Sequence, residues 1–177
     1  MKSRHLAILP VMLALAACAN TPTVNYDADP SANFAAYKTY SWAYQKVPDG
    51  VNPLIADRVR TSIDNSLAAR GYTKADPGDF AVGFTIGSRD RVEVNDMGVY
   101  GPFYRPWGGW GGWAGPQVDV RNVTDGTLVI DVYDTGTKSP VWHGTATQEV
   151  TKNSGSQENI DSAVNAVLAK FPPPPKK

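Results

Sequence analysis

A single cysteine, Cys18, closes a short apolar run at the N-terminus, and its placement constrains the rest of the chain more than any other feature. Lys2 and Arg4, with His5 beside them, make a basic start. Leu6 to Leu15 (LAILPVMLAL) are almost wholly apolar, and Ala16 and Ala17 are small. Basic start, short apolar stretch and small residues are the layout of a secretory signal, expected over residues 1–17. The run falls short of the ~20 residues a membrane-spanning helix needs, and Pro10 inside it argues against a permanent helix. The remainder must then fold without a disulfide, even in an oxidising compartment, because no second cysteine is present.

Leu15-Ala16-Ala17-Cys18 resembles the lipobox of bacterial lipoproteins. The resemblance implies cleavage between Ala17 and Cys18, a diacylglycerol thioether on the Cys18 sulfur and an acyl chain on the new amine. One acyl chain binds a membrane marginally, at ~0.8 kcal/mol per buried methylene, whereas two hold stably. Ala19, rather than Asp, follows the cysteine, which implies the outer membrane of a Gram-negative cell, with the domain on the periplasmic side. The membrane, reached through this lipid anchor, is the first expected partner, and no cofactor beyond the lipid is expected.

Without residues 1–17 the 177-residue chain keeps 160, enough for one ordinary domain. Lys2 and Arg4 leave with the leader, so 17 basic residues become 15 against 17 acidic ones, a net charge of about −2. That is no footprint for nucleic acid.

Residues 18–33 read as the lipidated N-terminus and a flexible tether, polar and broken by Pro22 and Pro30. A domain is expected over 34–172, with a Pro/Lys tail at 173–177. Tyr37 to Trp42 alternates strand formers, which places Tyr40 and Trp42 on one side, under a helix. Asn52-Pro53 opens a helix as N-cap and first turn; Ile55, Val59, Ile63 and Leu67 share its inner face, and Gly71 ends it. Phe80, Val82, Phe84 and Ile86 alternate as a half-buried strand that continues to about Val94. Val118 to Val123 reads as a short strand, Asp125-Gly126 as a hairpin turn, and Thr127 to Tyr133 as a strong strand. Val141 to Val150 pairs back, with Trp142 beside the turn at the sheet edge. Ser154 with Gln157 looks like a capping box, with Ser156 as a rival cap. Ile160, Val164, Val167, Leu168 and Phe171 form a helical stripe that Pro172 stops. Two amphipathic helices and a set of antiparallel hairpins each need one face covered. The expected fold class is α+β: a two-layer sandwich of one antiparallel-rich sheet with both helices on one face.

The lipobox at Cys18, Phe34 to Trp42, Leu67 to Tyr72, Asp79 to Phe84, Gly126 to Val132, Val141 to Ala146 and the C-terminal helix ending in Phe171-Pro172 follow one another in a characteristic order and spacing. Together they resemble the domain of unknown function 4136 family of bacterial outer-membrane lipoproteins. The resemblance covers roughly 25–173 and implies a lipid-anchored periplasmic α+β domain, but no reaction.

The residues themselves offer little chemistry. After the leader the one histidine is His143, facing opposite to Trp142 beside Thr145 and Thr147, and no Gly-x-Ser-x-Gly elbow occurs. Metal ligands are few, and Asp131 and Asp134 read as turn and surface residues. The expectation is a binding or envelope-support module without enzymatic activity; the alternative is an envelope hydrolase acting on a glycan or peptide.

Residues 97–116 (MGVYGPFYRPWGGWGGWAGP) stand apart, with seven glycines, six aromatics and one charge in twenty positions. The prolines forbid a central strand or helix. The candidate binding loop comprises Tyr100, Phe103, Tyr104, Arg105, Trp107, Trp110 and Trp113. Three readings compete: loose packing over the sheet, contact with an envelope protein or glycan strand through the rings, and insertion into the lipid interface.

Overall fold

In the computed structural model the described residues are 21–44, 46, 50–96 and 118–174. The elements follow in the order β1 (Thr23–Ala28), a 3-10 turn (Phe34–Ala36), β2 (Thr39–Trp42), α1 (Pro53–Ala69), β3 (Thr73–Lys74), β4 (Phe80–Asp96), β5 (Val118–Asp134), β6 (Pro140–Glu149) and α2 (Gln157–Leu168). One six-stranded sheet runs β1-β6-β5-β4-β2-β3. Pairing is antiparallel from β1 to β4, and β2 joins β4 and β3 in parallel. Both helices cover one face of this sheet, so the architecture is the expected α+β two-layer sandwich.

Local chemistry explains both helices. The Asn52 side chain accepts the Leu54 N–H, and Val59, Ile63 and Leu67 are buried against the sheet. Gly71, at φ +88°, reverses the chain so that the Tyr72 N–H reaches the Leu67 carbonyl at 3.1 Å. For α2 the cap is Ser156, whose Oγ accepts the Asn159 N–H at 3.3 Å. Ser154 is drawn away, taking the Thr151 N–H at 2.8 Å. Ile160, Val164, Val167, Leu168 and Phe171 are all buried, as the stripe predicts. Tyr40 and Trp42 do sit under a helix: the hydroxyl (2.8 Å) and the indole N–H (3.2 Å) both donate to Asp64 of α1.

Three expectations are overturned. The tether expected over 18–33 is cut short, because residues 23–28 form β1 and pair along their whole length with β6, Thr23↔Thr147 to Ala28↔Trp142. The domain therefore starts ahead of Phe34. Asp125-Gly126 makes no turn, because β5 is one 17-residue strand. Opposite residues hold that stretch extended: Asp125 takes the Arg91 guanidinium, and Thr124 donates to Asp90 at 2.6 Å. Trp142 closes no edge. With β1 on its far side, β6 is interior, and the indole is 2% exposed, packed against Phe171 with ring centroids 5.3 Å apart. The ring lies over Gly144, where an added Cβ would come within 2.2 Å of it.

Candidate functional site at the open end of the sandwich

Residues in one row across the sheet are Gly87, Thr127, Thr147 and Thr23, on β4, β5, β6 and β1. Just past this row β6 ends at Glu149. Among the described residues β4 and β5 continue without a third strand, from Asp90↔Thr124 to Asp96↔Val118. At ~3.3 Å per residue these pairs form a two-stranded arm about 23 Å long. Both arginines of the arm are paired locally: Arg91 meets Asp125 at 2.7 Å and Glu93 at 2.6 Å, and Arg121 pairs with Glu149. Hydrogen bonds to Asp125 first, then Glu93, raise the Arg91 guanidinium above its already high range.

Thr23 is the first residue of β1, so the chain ahead of it leaves the sheet at this same end. Thr21 lines a shallow polar hollow with Arg91, Asp125, Thr147 and Glu149. On the helix side of the same end the two layers part around an aliphatic cleft of about 250 Å³. Ile55 and Val59 of α1, Ile160 and Ala163 of α2, and Ile86, Leu128 and Ala146 of the sheet line it. Val150, 45% exposed, stands at its rim.

The uncovered sheet face is polar. Asp27, His143, Asp131 and Gly83 share one row. His143 Nδ1 lies 2.7 Å from Asp131 Oδ1, so Asp131 partners the strand histidine rather than a turn. The Tyr44 ring lies over Gly83, where an added Cβ would come within 2.9 Å of it. A hydrogen bond with Tyr44, helped by burial and by Asp131, pushes the Tyr133 hydroxyl up to about 12. Among the described residues no group of three or more His, Cys, Asp or Glu is placed to hold a metal.

Cys18 and Ala17, and the loop residues Tyr100, Phe103, Tyr104, Arg105, Trp107, Trp110 and Trp113, lie outside the described residues. What is described is where their segments attach: the loop joins Asp96 to Val118 at the arm's tip, and the N-terminal segment joins Thr21. Sequence reasoning missed the cleft and β1. For β1 a signal existed: Val24, Tyr26 and Ala28 alternate with Asn25 and Asp27.

Solved structures show the fold elsewhere. A PDZ domain protein from Parabacteroides distasonis aligns with TM-score 0.56 and 10% identity, over 85% of this chain and 35% of its own, so the chain spans about a third of that protein's length. A PelC dodecamer from Paraburkholderia phytofirmans aligns with TM-score 0.49 and 15% identity, over 84% of this chain and 95% of its own. The first of these likenesses is one of fold. No curated protein matches the sequence. The pattern of the Domain of unknown function (DUF4136) matches residues 24–173, from within β1 to beyond α2, and the chain belongs to that family.

Proposed function

We propose that this DUF4136 domain is a lipid-anchored, non-catalytic module on the periplasmic face of the outer membrane, which presents its aromatic segment to the lipid interface. One observation carries this reading: the arm and the chain leading back to Cys18 leave the sheet at the same end. Thr23 is five Cα–Cα steps from Cys18, a reach of at most ~18 Å. The arm extends about 23 Å from that end. With Cys18 held at the bilayer surface, the aromatic segment starts at a comparable depth. Trp and Tyr are favoured at that depth, and Arg105 is the segment's single charge. Among the described residues no helix is long and apolar enough to cross a membrane, so attachment in this reading rests on the Cys18 lipid. The non-catalytic part is supported by His143 and Asp131, which pair on an open sheet face rather than inside a cleft.

Two experiments test it. Cys18→Ala is expected to move the protein from the membrane to the soluble periplasmic fraction; unchanged retention would sink the anchoring. A photo-crosslinking residue at Trp110 in living cells is expected to give lipid adducts. A discrete protein band or glycan adduct would replace the lipid interface by that partner, and no adduct from a folded, localised protein would remove the binding role.

A further inference from the structure

We propose that the aliphatic cleft at the open end holds one acyl chain of the lipid on Cys18; this rests on the lipid anchoring proposed above. The cleft's lining reaches Gln148, close to where the chain departs toward Cys18. Thr23 pairs with Thr147, so Pro22 stands beside Gln148, which lines the cleft. Pro22 is itself buried. Three residues lie between Cys18 and Pro22, so the Cα of Cys18 can stand at most ~14 Å from that of Pro22.

The lining selects the occupant. Ile55, Val59, Ile86, Leu128, Ile160 and Ala163 offer aliphatic surface from both layers. Ser154 at the rim already accepts the Thr151 N–H. Gln148 is the one side-chain amide in this lining, so a glycan would leave most of its hydroxyls without partners. About 250 Å³ lies below the ~300–1,000 Å³ that encloses a drug-sized ligand, and suits a slender chain. A ring from the aromatic segment would have to return along the arm, about 23 Å, to reach the same space. Glycines keep the rim open: a Cβ on Gly155 would come within 2.9 Å of Ile55 Cδ1, and one on Gly126 within 3.0 Å of Val150 Cγ2.

The test feeds cells an alkyne-bearing palmitate with a mid-chain diazirine and irradiates them. The full-length protein is then purified and its crosslinked peptides mapped. The expected result is label on the Cys18 peptide, joined by crosslinks to β6, the following loop and α2, within residues 146–163. Ala163→Phe, which fills the cleft, should lower those crosslinks at least fivefold while label on Cys18 stays constant. Val150→Glu, at the exposed rim, should do the same if the bulkier variant fails to fold. Label on Cys18 without cleft crosslinks, or with crosslinks confined to residues 97–117, overturns the proposal and leaves the anchoring intact. Cleft crosslinks that persist in Cys18→Ala would mean a free lipid, and overturn the assignment to the protein's own anchor. Absence of label from Cys18 brings down the anchoring and the cleft proposal together.

Discussion

Where β4 begins, Phe80 is wholly buried and touches the rings of Tyr37, Tyr40, Tyr72 and Phe171, with centroids 5.3–6.0 Å apart. Where β4 leaves the helices, at Ile86, its neighbours are aliphatic, and a cleft remains between the layers. Between the layers one end is filled by aromatic pairs, each worth ~0.5–1.5 kcal/mol beyond the area it buries, and its hollow of about 420 Å³ lies outside them, along Phe34 and Pro172. The other is left open, and β4 and β5 run on from it to the ends of a 20-residue segment that holds six aromatics of its own. The sealed end supplies stability, and the open end supplies exposed apolar surface with a chain exit beside it.

Truncation should separate the two ends most sharply. Phe80→Ala removes the hub of the sealed end and is expected to cost about 4 kcal/mol. Leu128→Ala, which already borders the cleft, should cost about 2 kcal/mol, at the low end for a core leucine. Urea unfolding of otherwise identical chains reads both, and equal losses would erase the contrast. Glycines sharpen it. Gly144→Ala drives a Cβ to 2.2 Å from the Trp142 ring and 2.7 Å from Val167 Cγ1, and should cost about 2–3 kcal/mol. Gly87→Ala, at the open end, meets nothing within 4 Å and should change stability by less than ~0.5 kcal/mol.

The two helices and the start of β4 were the more legible part of the sequence. The stripes Val59-Ile63-Leu67 and Ile160-Val164-Val167-Leu168 are local signals, and so are Asn52, Gly71 and the alternation from Phe80. Helix caps and burial periodicity act within a few residues, so a sequence carries them on its face. What failed was decided at long range. β1 is a strand only because β6, more than a hundred residues later, supplies its hydrogen bonds; Pro22 and Pro30 on either side made it read as tether. Asp125-Gly126 has the chemistry of a turn, but the ladder to Arg89 and Ser88 outweighs it. The same limit applies to the candidate site. Cys18 and the aromatic residues could be named from sequence, but their attachment to one end of the sheet is a property of strand register.

Acid should act first on the sealed end. Asp79 accepts the backbone N–H groups of Lys38 and Thr39, both at 2.8 Å, and these bonds hold its carboxyl below the usual range. Asp134 is lowered likewise, by the Thr137 N–H first and then by the Tyr37 hydroxyl. A carboxylate depressed in the folded state stabilises fully above its unfolded pKa, ~3.9, and that stability is lost as pH falls through the lower folded value. Melting temperatures between about pH 5 and pH 2 should therefore fall less steeply in Asp79→Asn than in the parent chain. Parallel slopes would remove Asp79 from the account.

The smallest expected effect bears most directly on the arm. Arg91 joins Asp125 and Glu93, but its side chain is 41% exposed, and exposed pairs contribute little. Arg91→Ala should leave the global unfolding midpoint nearly unchanged. Its local effect should be larger, because an isolated two-stranded ribbon is marginal in water and leans on its cross-strand pairs. Amide exchange across residues 90–96 and 118–124 should speed severalfold, while the amides of Phe80 to Phe84, held between β2, β5 and the helices, keep their rates. Faster exchange in both regions together would make the arm part of the sheet's cooperative unit. Its extension would then be a by-product of sheet packing rather than an element with its own stability, and the case for the arm as a presenting device would lose its physical basis.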